Sequence, residues 1–156
     1  MKKILTLPTV TLFLVAILFA GGCKPESPST RGPKKITIKL KAVEINGEMH
    51  LKMSDSNGKK GVIDTLETLV IPGDSVIWKL KLFSGIEKID TISPKTAGKI
   101  MNKKAENIPG TKRFGLKIPD NAPMPSQREK YNIVFKDRDG HQWPIDPYLR
   151  IPKEVD

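Results

Sequence analysis

The chain has a single cysteine, Cys23, in 156 residues. No disulfide can form within it, so a domain outside the reducing cytoplasm has to stand on its apolar core. Histidine is almost as scarce, with only His50 and His141. There is no His-Glu-x-x-His pair and no Gly-x-Ser-x-Gly elbow, so the common signatures of metal-dependent and serine hydrolysis are missing. Carboxylates such as Glu44, Glu67, Asp90 and Asp146 are scattered, and spacing pairs none of them. No catalytic residue, cofactor or resident metal is therefore expected, and the role should be non-enzymatic. A long hydrophobic run is absent too. The stretch Val10–Ala20, broken by Thr11, falls short of the roughly 20 residues that a membrane-spanning helix needs.

The short apolar run has a different meaning. Lys2 and Lys3 precede it, and Ala20-Gly21-Gly22 leads from it straight into Cys23. Charge, a short apolar core and small residues before a cleavage point mark a secretory signal. Ending on the lone cysteine, the stretch resembles a bacterial lipoprotein signal, although Ala20 stands where Leu is commoner. The resemblance implies cleavage after residue 22, acylation of Cys23 and attachment to the bilayer of the cell envelope. Two or more acyl chains hold a membrane stably, whereas one does not. Lys24 stands where aspartate would retain such a protein at the inner membrane, which leans the expectation toward the outer one. Residues 24–35, KPESPSTRGPKK, have three prolines and no large apolar side chain. They read as a tether of about 37 Å at ~3.1 Å per residue. The domain is expected over 36–156.

Within 36–156, alternation is the dominant signal. Ile36, Ile38, Leu40 and Ala42 alternate with polar residues, as do Leu51 and Met53, and Asn46-Gly47 lies between the runs. Asn-Gly predicts a two-residue hairpin turn that pairs Ile45 with Glu48, and hence Ala42 with Leu51 and Leu40 with Met53. Both apolar sets then share one face, and Lys39, Lys41, Lys52 and His50 point outward. Pro72-Gly73-Asp74 reads as a turn. Val76, Trp78, Leu80 and Leu82 form the clearest strand, with Trp78 in the core. Phe114, Leu116 and Ile118 form another, as do Tyr131, Ile133 and Phe135, with a hairpin turn at Asp139-Gly140. Pro144 and Pro147 confine the last segment to a sheet edge. Over Ser93–Ile108, Ala97, Ile100, Met101, Ala105 and Ile108 recur at helical spacing, so a short helix is expected. The sum is an all-β, antiparallel Greek-key β-sandwich with at most one short helix.

Leu69–Trp78, LVIPGDSVIW, resembles the paired strands of cupredoxin-like domains. The ending YNIVFKDRDGHQWPIDPYLRIP is similar to the closing hairpin of small Bacteroidota lipoproteins that carry such domains. An immunoglobulin-like sandwich fits the strand pattern as well. Blue copper, which the first resemblance would bring, needs a Cys beside two His, and Cys23 lies ahead of the fold. Met49, His50 and Met53 could serve a thioether copper site, yet in a strand the methionines face away from the histidine. Asp137-Arg138-Asp139-Gly140 lacks the later ligands of a calcium loop and reads as a turn.

Two binding surfaces are candidates. Trp143 and Tyr148 could form a sugar-stacking platform, unless Trp143 packs down on the core edge. The other is basic: Lys95, Lys99, Lys103, Lys104, Lys112, Arg113 and Lys117 face only Glu106 between residues 95 and 117, a local surplus of +6 against +5 for residues 36–156. Such a surplus attracts anions: anionic lipid, acidic glycan or acidic protein, though not nucleic acid in this compartment. A solvated basic loop with no partner is the plain alternative.

Overall fold

The computed structural model describes residues 31–96, 98–123 and 127–152. Cys23 and the signal lie outside them, as does Ala97. Ten strands follow in chain order: β1 (Lys35–Ile45), β2 (Glu48–Asp55), β3 (Glu67–Leu69), β4 (Ser75–Leu80), β5 (Ile86–Pro94), β6 (Glu106–Asn107), β7 (Arg113–Lys117), β8 (Arg128–Asp137), β9 (Gln142–Ile145) and β10 (Tyr148–Arg150). One sheet runs β2-β1-β4-β7-β6; the other runs β3-β10-β8-β5, with β9 paired to β8. The described residues thus form an all-β sandwich.

Alternation builds both layers. Ile36, Ile38, Leu40 and Ala42 of β1, Leu51 and Met53 of β2, and Val76 and Trp78 of β4 point into one core, meeting Ile133 and Phe135 of β8. The first hairpin has the register that Asn-Gly demands, with Ala42 opposite Leu51 and Leu40 opposite Met53. Asn46 and Gly47 both take positive φ, 53° and 83°, as a two-residue type I′ turn requires. Trp78 bridges the layers: its ring meets that of Tyr131 edge-on, with centroids 5.6 Å apart, and its Nε1 donates to the Tyr131 hydroxyl at 3.1 Å.

Four features depart from the sequence-based expectation. The last segment is not confined to an edge, because β10 lies between β3 and β8 and only β9, which contains Pro144, pairs on one side. The sheets are mixed, because β1 and β4 run parallel, as do β3 and β10. Leu82 does not join the core. β4 ends at Leu80, the chain turns through Phe83 at φ 52° and Gly85 at φ 72°, and Leu82 is 83% exposed. No helix forms among the described residues of 93–108. Ser93 and Pro94 finish β5, and the chain then loops to β6. The apolar spacing did report burial, since Ile100, Met101 and Ala105 are buried. What it could not report is the partner of the backbone. The Glu129 carboxylate accepts the N–H groups of Lys99, Ile100 and Met101, the last two at 2.8 and 3.1 Å, so these donors are used without a helical turn. A Cβ on Gly98 would collide with that carboxylate. Glu129→Ala should leave the three donors without a partner and cost about 2 kcal/mol. Amide exchange at 99–101 should accelerate selectively; unchanged exchange there would show that Glu129 does not hold the loop.

The start of the domain is tied down before β1. Arg31, within the segment read as tether, donates through both Nη atoms to Asp74, whose carboxylate also accepts from Lys34 N and Ile71 N at 2.9 Å each. Asp74 is fully buried in the Pro72-Gly73-Asp74 turn. Burial alone would push its carboxyl up, but the Arg31 guanidinium and the two backbone donors hold it below the ordinary carboxylate range.

Candidate functional site

The basic segment does not converge on one spot. Lys95 is paired with Asp146, Lys103 with Glu106 and Lys117 with Asp120. Lys99 and Lys104 are exposed on the loop between β5 and β6. Lys112 and Arg113 are placed differently. They lie beside Lys79, Leu80, Lys81 and Leu82 around an open cleft of about 350 Å³. Two cations that the segment contains thus meet two that it does not.

Strand register explains the meeting. Arg113 of β7 lies opposite Lys79 of β4, which lies opposite Lys39 of β1, so three cations form a row across three strands. Adjacent strands are about 4.8 Å apart. Lys41 and Lys52 form the next row on the same face, opposite each other on β1 and β2. Lys35 and Lys117 flank Ser75 at the far end. Every outward position of β4 and β7, of β1 from Lys35 to Val43 and of β2 from His50 to Ser54 lacks a carboxylate. Acids border this face in ion pairs, Asp64 with His50, Glu106 with Lys103 and Asp120 with Lys117, and at Glu48, exposed at the start of β2. Among the described residues, no carboxylate comes within ion-pair distance of the Arg113–Lys79–Lys39 row or of Lys41 and Lys52. The opposite sheet contrasts with it: there Arg128 and Arg150 share Glu67, and Lys88 meets Asp90. Like charges directly opposite each other destabilise a sheet, so the lysine face costs the fold some stability.

The aromatic candidates are not brought together. Trp143 lies opposite Phe135, which is fully buried, and packs on the core edge. Its Nε1 donates to Asp137 Oδ2 at 2.7 Å. Tyr148 lies opposite the exposed Lys130, so it faces outward. The Arg128 guanidinium covers its ring at 3.7 Å from the centroid. The two aromatics therefore occupy opposite faces of one sheet and offer no shared platform.

The sulfur candidates separate in the same way. Met53 is buried and Met49 packs against the core, while His50 points outward and its Nδ1 meets Asp64 at 2.7 Å. Asp137, Asp139 and His141 do lie close enough together to share an ion. Their geometry is that of the β8–β9 turn, in which Asp137 Oδ1 accepts from Asp139 N at 3.0 Å and His141 N at 2.9 Å. The Trp143 indole N–H, then those backbone donors, hold the Asp137 carboxyl below its ordinary range. With both oxygens already engaged by protein donors, this carboxylate organises a hairpin. No protein-family model matches the chain, and no curated protein matches it.

Proposed function

We propose that this chain is a bacterial envelope lipoprotein, anchored through acylated Cys23, whose domain binds an anionic partner and performs no chemistry. The observation that supports the binding role is the unpaired cation row Arg113–Lys79–Lys39, which joins Lys81 and Lys112 at the cleft. Surface charge in a folded domain is usually interspersed in sign. Here the outward positions of the three adjacent strands β1 (from Lys35 to Val43), β4 and β7 have one sign only, with Glu48 and Glu106 on the outer strands β2 and β6.

The anchor is tested in cells. A clickable palmitate analogue should tag the protein, and Cys23→Ser should move it out of the membrane fraction; retention of that variant at wild-type level would falsify the anchor. Binding is tested by contrasting two variants that lose equal charge. Lys79→Gln with Arg113→Gln should weaken binding to acidic polysaccharide and to phosphatidylglycerol vesicles by tenfold or more. Lys95→Gln with Lys103→Gln should leave it within about twofold, because those two cations already have carboxylate partners. Equal losses from both pairs would mean that only net charge matters and that the face is no site.

A further inference from the structure

We infer that the lysine face of the β2-β1-β4-β7 sheet is a membrane-docking surface: the domain lies with this face flat on an anionic bilayer, the same one that holds its acyl chains. The inference rests on the anchored reading above and goes further by naming the partner and the orientation.

Three observations meet on this face. The first is its charge, already described, which complements anionic phospholipid headgroups. A cation held near an anionic leaflet strengthens attachment by roughly fivefold. The second is where the apolar side chains are exposed. Among the described residues the exposed large hydrophobics are Val62, Leu82 and Phe83, at 77, 83 and 79%. Leu82 lines the cleft beside Lys79 and Arg113, and Phe83 follows it in the same turn. Val62 lies at the opposite border, lining a second cleft with Val43, Ile45 and Lys52, which project from the outward side of β1 and β2. Both borders of a cationic plane thus expose apolar groups. Acidic polysaccharide would give those groups nothing, whereas the boundary between headgroups and acyl chains takes them up.

Phe83 adds a further sign. It sits at φ 52°, a left-handed conformation in which a bulky residue is an outlier and Asn or Gly is at ease. An exposed aromatic in that conformation serves folding poorly on two counts, so its side chain is there for something outside the fold.

The third observation is reach. β1 lies in the plane of the face, and Arg31 is fixed just ahead of it by Asp74. Cys23 stands eight residues before Arg31, a length that extends to at most about 29 Å. With the face on the bilayer, β1 runs parallel to the surface and Arg31 is close to it. The tether then reaches the membrane without being stretched.

The test uses the full acylated protein in vesicles of phosphatidylcholine, with or without phosphatidylglycerol. Because acylation occupies Cys23, a nitroxide attached through Leu82→Cys labels one position. Its collision with oxygen and with a water-soluble nickel chelate reports depth. The label should be immersed on vesicles containing phosphatidylglycerol. It should be in water on phosphatidylcholine alone, and again in molar salt, where the screening length falls to about 3 Å. Replacing Lys39, Lys79 and Arg113 by Gln should lower the ratio of immersed to water-exposed label by about a hundredfold, at fivefold per charge. Phe83→Asn should weaken immersion several-fold while leaving the unfolding midpoint equal or higher, which separates docking from folding. A label that stays in water on anionic vesicles, although the protein cosediments with them, overturns the docking inference and spares the anchor. Failure to cosediment with any vesicle overturns the anchor itself. A label immersed equally in neutral vesicles, or a face that takes up acidic polysaccharide while the label stays in water, also overturns docking by charge to a bilayer.

Discussion

Trp78→Ala should destabilise the domain by about 3–5 kcal/mol, the usual range for truncating a large buried aromatic. The side chain is fully buried, and its neighbours come from both sheets, so collapse around the void would require the layers to shift together. Tyr131 would lose the indole donor at 3.1 Å and the edge-on ring contact at once. A domain typically has ~5–15 kcal/mol of stability, so the loss would remove a large part of the margin. Trp78→Phe keeps most of the bulk and removes the N–H, and should cost about 1–2 kcal/mol. Urea midpoints of the two variants, compared with wild type, separate packing from hydrogen bonding. Equal midpoints for all three would mean that Trp78 does not join the sheets. Tyr131 provides an independent readout. Burial holds its phenol un-ionised well above the ordinary tyrosine range. Its folded pKa is raised, so its contribution is whole below the unfolded pKa of about 10 and is lost as pH rises past it. Phenolate absorbance from this residue should appear only with unfolding.

The second large effect is expected at Asp74. Asp74→Ala removes the acceptor for the Arg31 guanidinium and for two backbone donors, one of which, Ile71 N, is buried with it. Breaking a buried ion pair costs about 3–5 kcal/mol. Arg31 keeps 21% of its side-chain surface, so it can partly rehydrate, and about 3 kcal/mol is the expected loss. The pH dependence has a definite sign. Because the folded-state pKa is lowered, the stabilisation is present above the unfolded value of about 3.9 and is lost as pH falls through the folded one. The stability gap between wild type and Asp74→Asn should therefore be constant near neutrality and close on acidification below pH ~4. A gap that persists into strong acid would mean that hydrogen-bond geometry rather than charge carries the effect.

How much of this was legible in the sequence depends on how far apart the interacting residues are. The first hairpin was legible to the residue, because Asn46-Gly47 fixes the turn and the turn fixes the register. The inward set of β4 was legible up to Leu80 and then failed at Leu82, because alternation does not say where a chain turns. The loop at 98–101 was misread as helical since its burial spacing is real, and only the tertiary arrival of Glu129 decides how its N–H groups are satisfied. The cation face shows the limit most clearly. Each strand advertises its own outward lysines, and Lys39, Lys41 and Lys52 were assigned outward from the hairpin alone. That Lys79 and Arg113 line up with Lys39 follows from the order β1-β4-β7, which joins residues far apart in the chain. A charge sum taken along the chain groups Lys95 and Lys103, already paired, with Arg113, and hides the row across the strands.

The parallel pairing of β1 with β4 also decides how the protein bears a pull. Under the proposed anchor, a pull entering ahead of β1 runs along that strand, from Lys35 toward Leu40. Six residue pairs, from Lys35 opposite Ser75 to Leu40 opposite Leu80, lie side by side along the line of force. A load in that direction shears the bonded rungs together instead of opening them one after another like a zip. Arg31, clasped by Asp74 just ahead of the strand, is the first contact to take the strain. The lifetime under load is then set by the barrier to sliding all six pairs at once, a rate rather than an equilibrium. A protein moored by its N-terminus to a moving membrane would give at the clasp before it gave at the sheet.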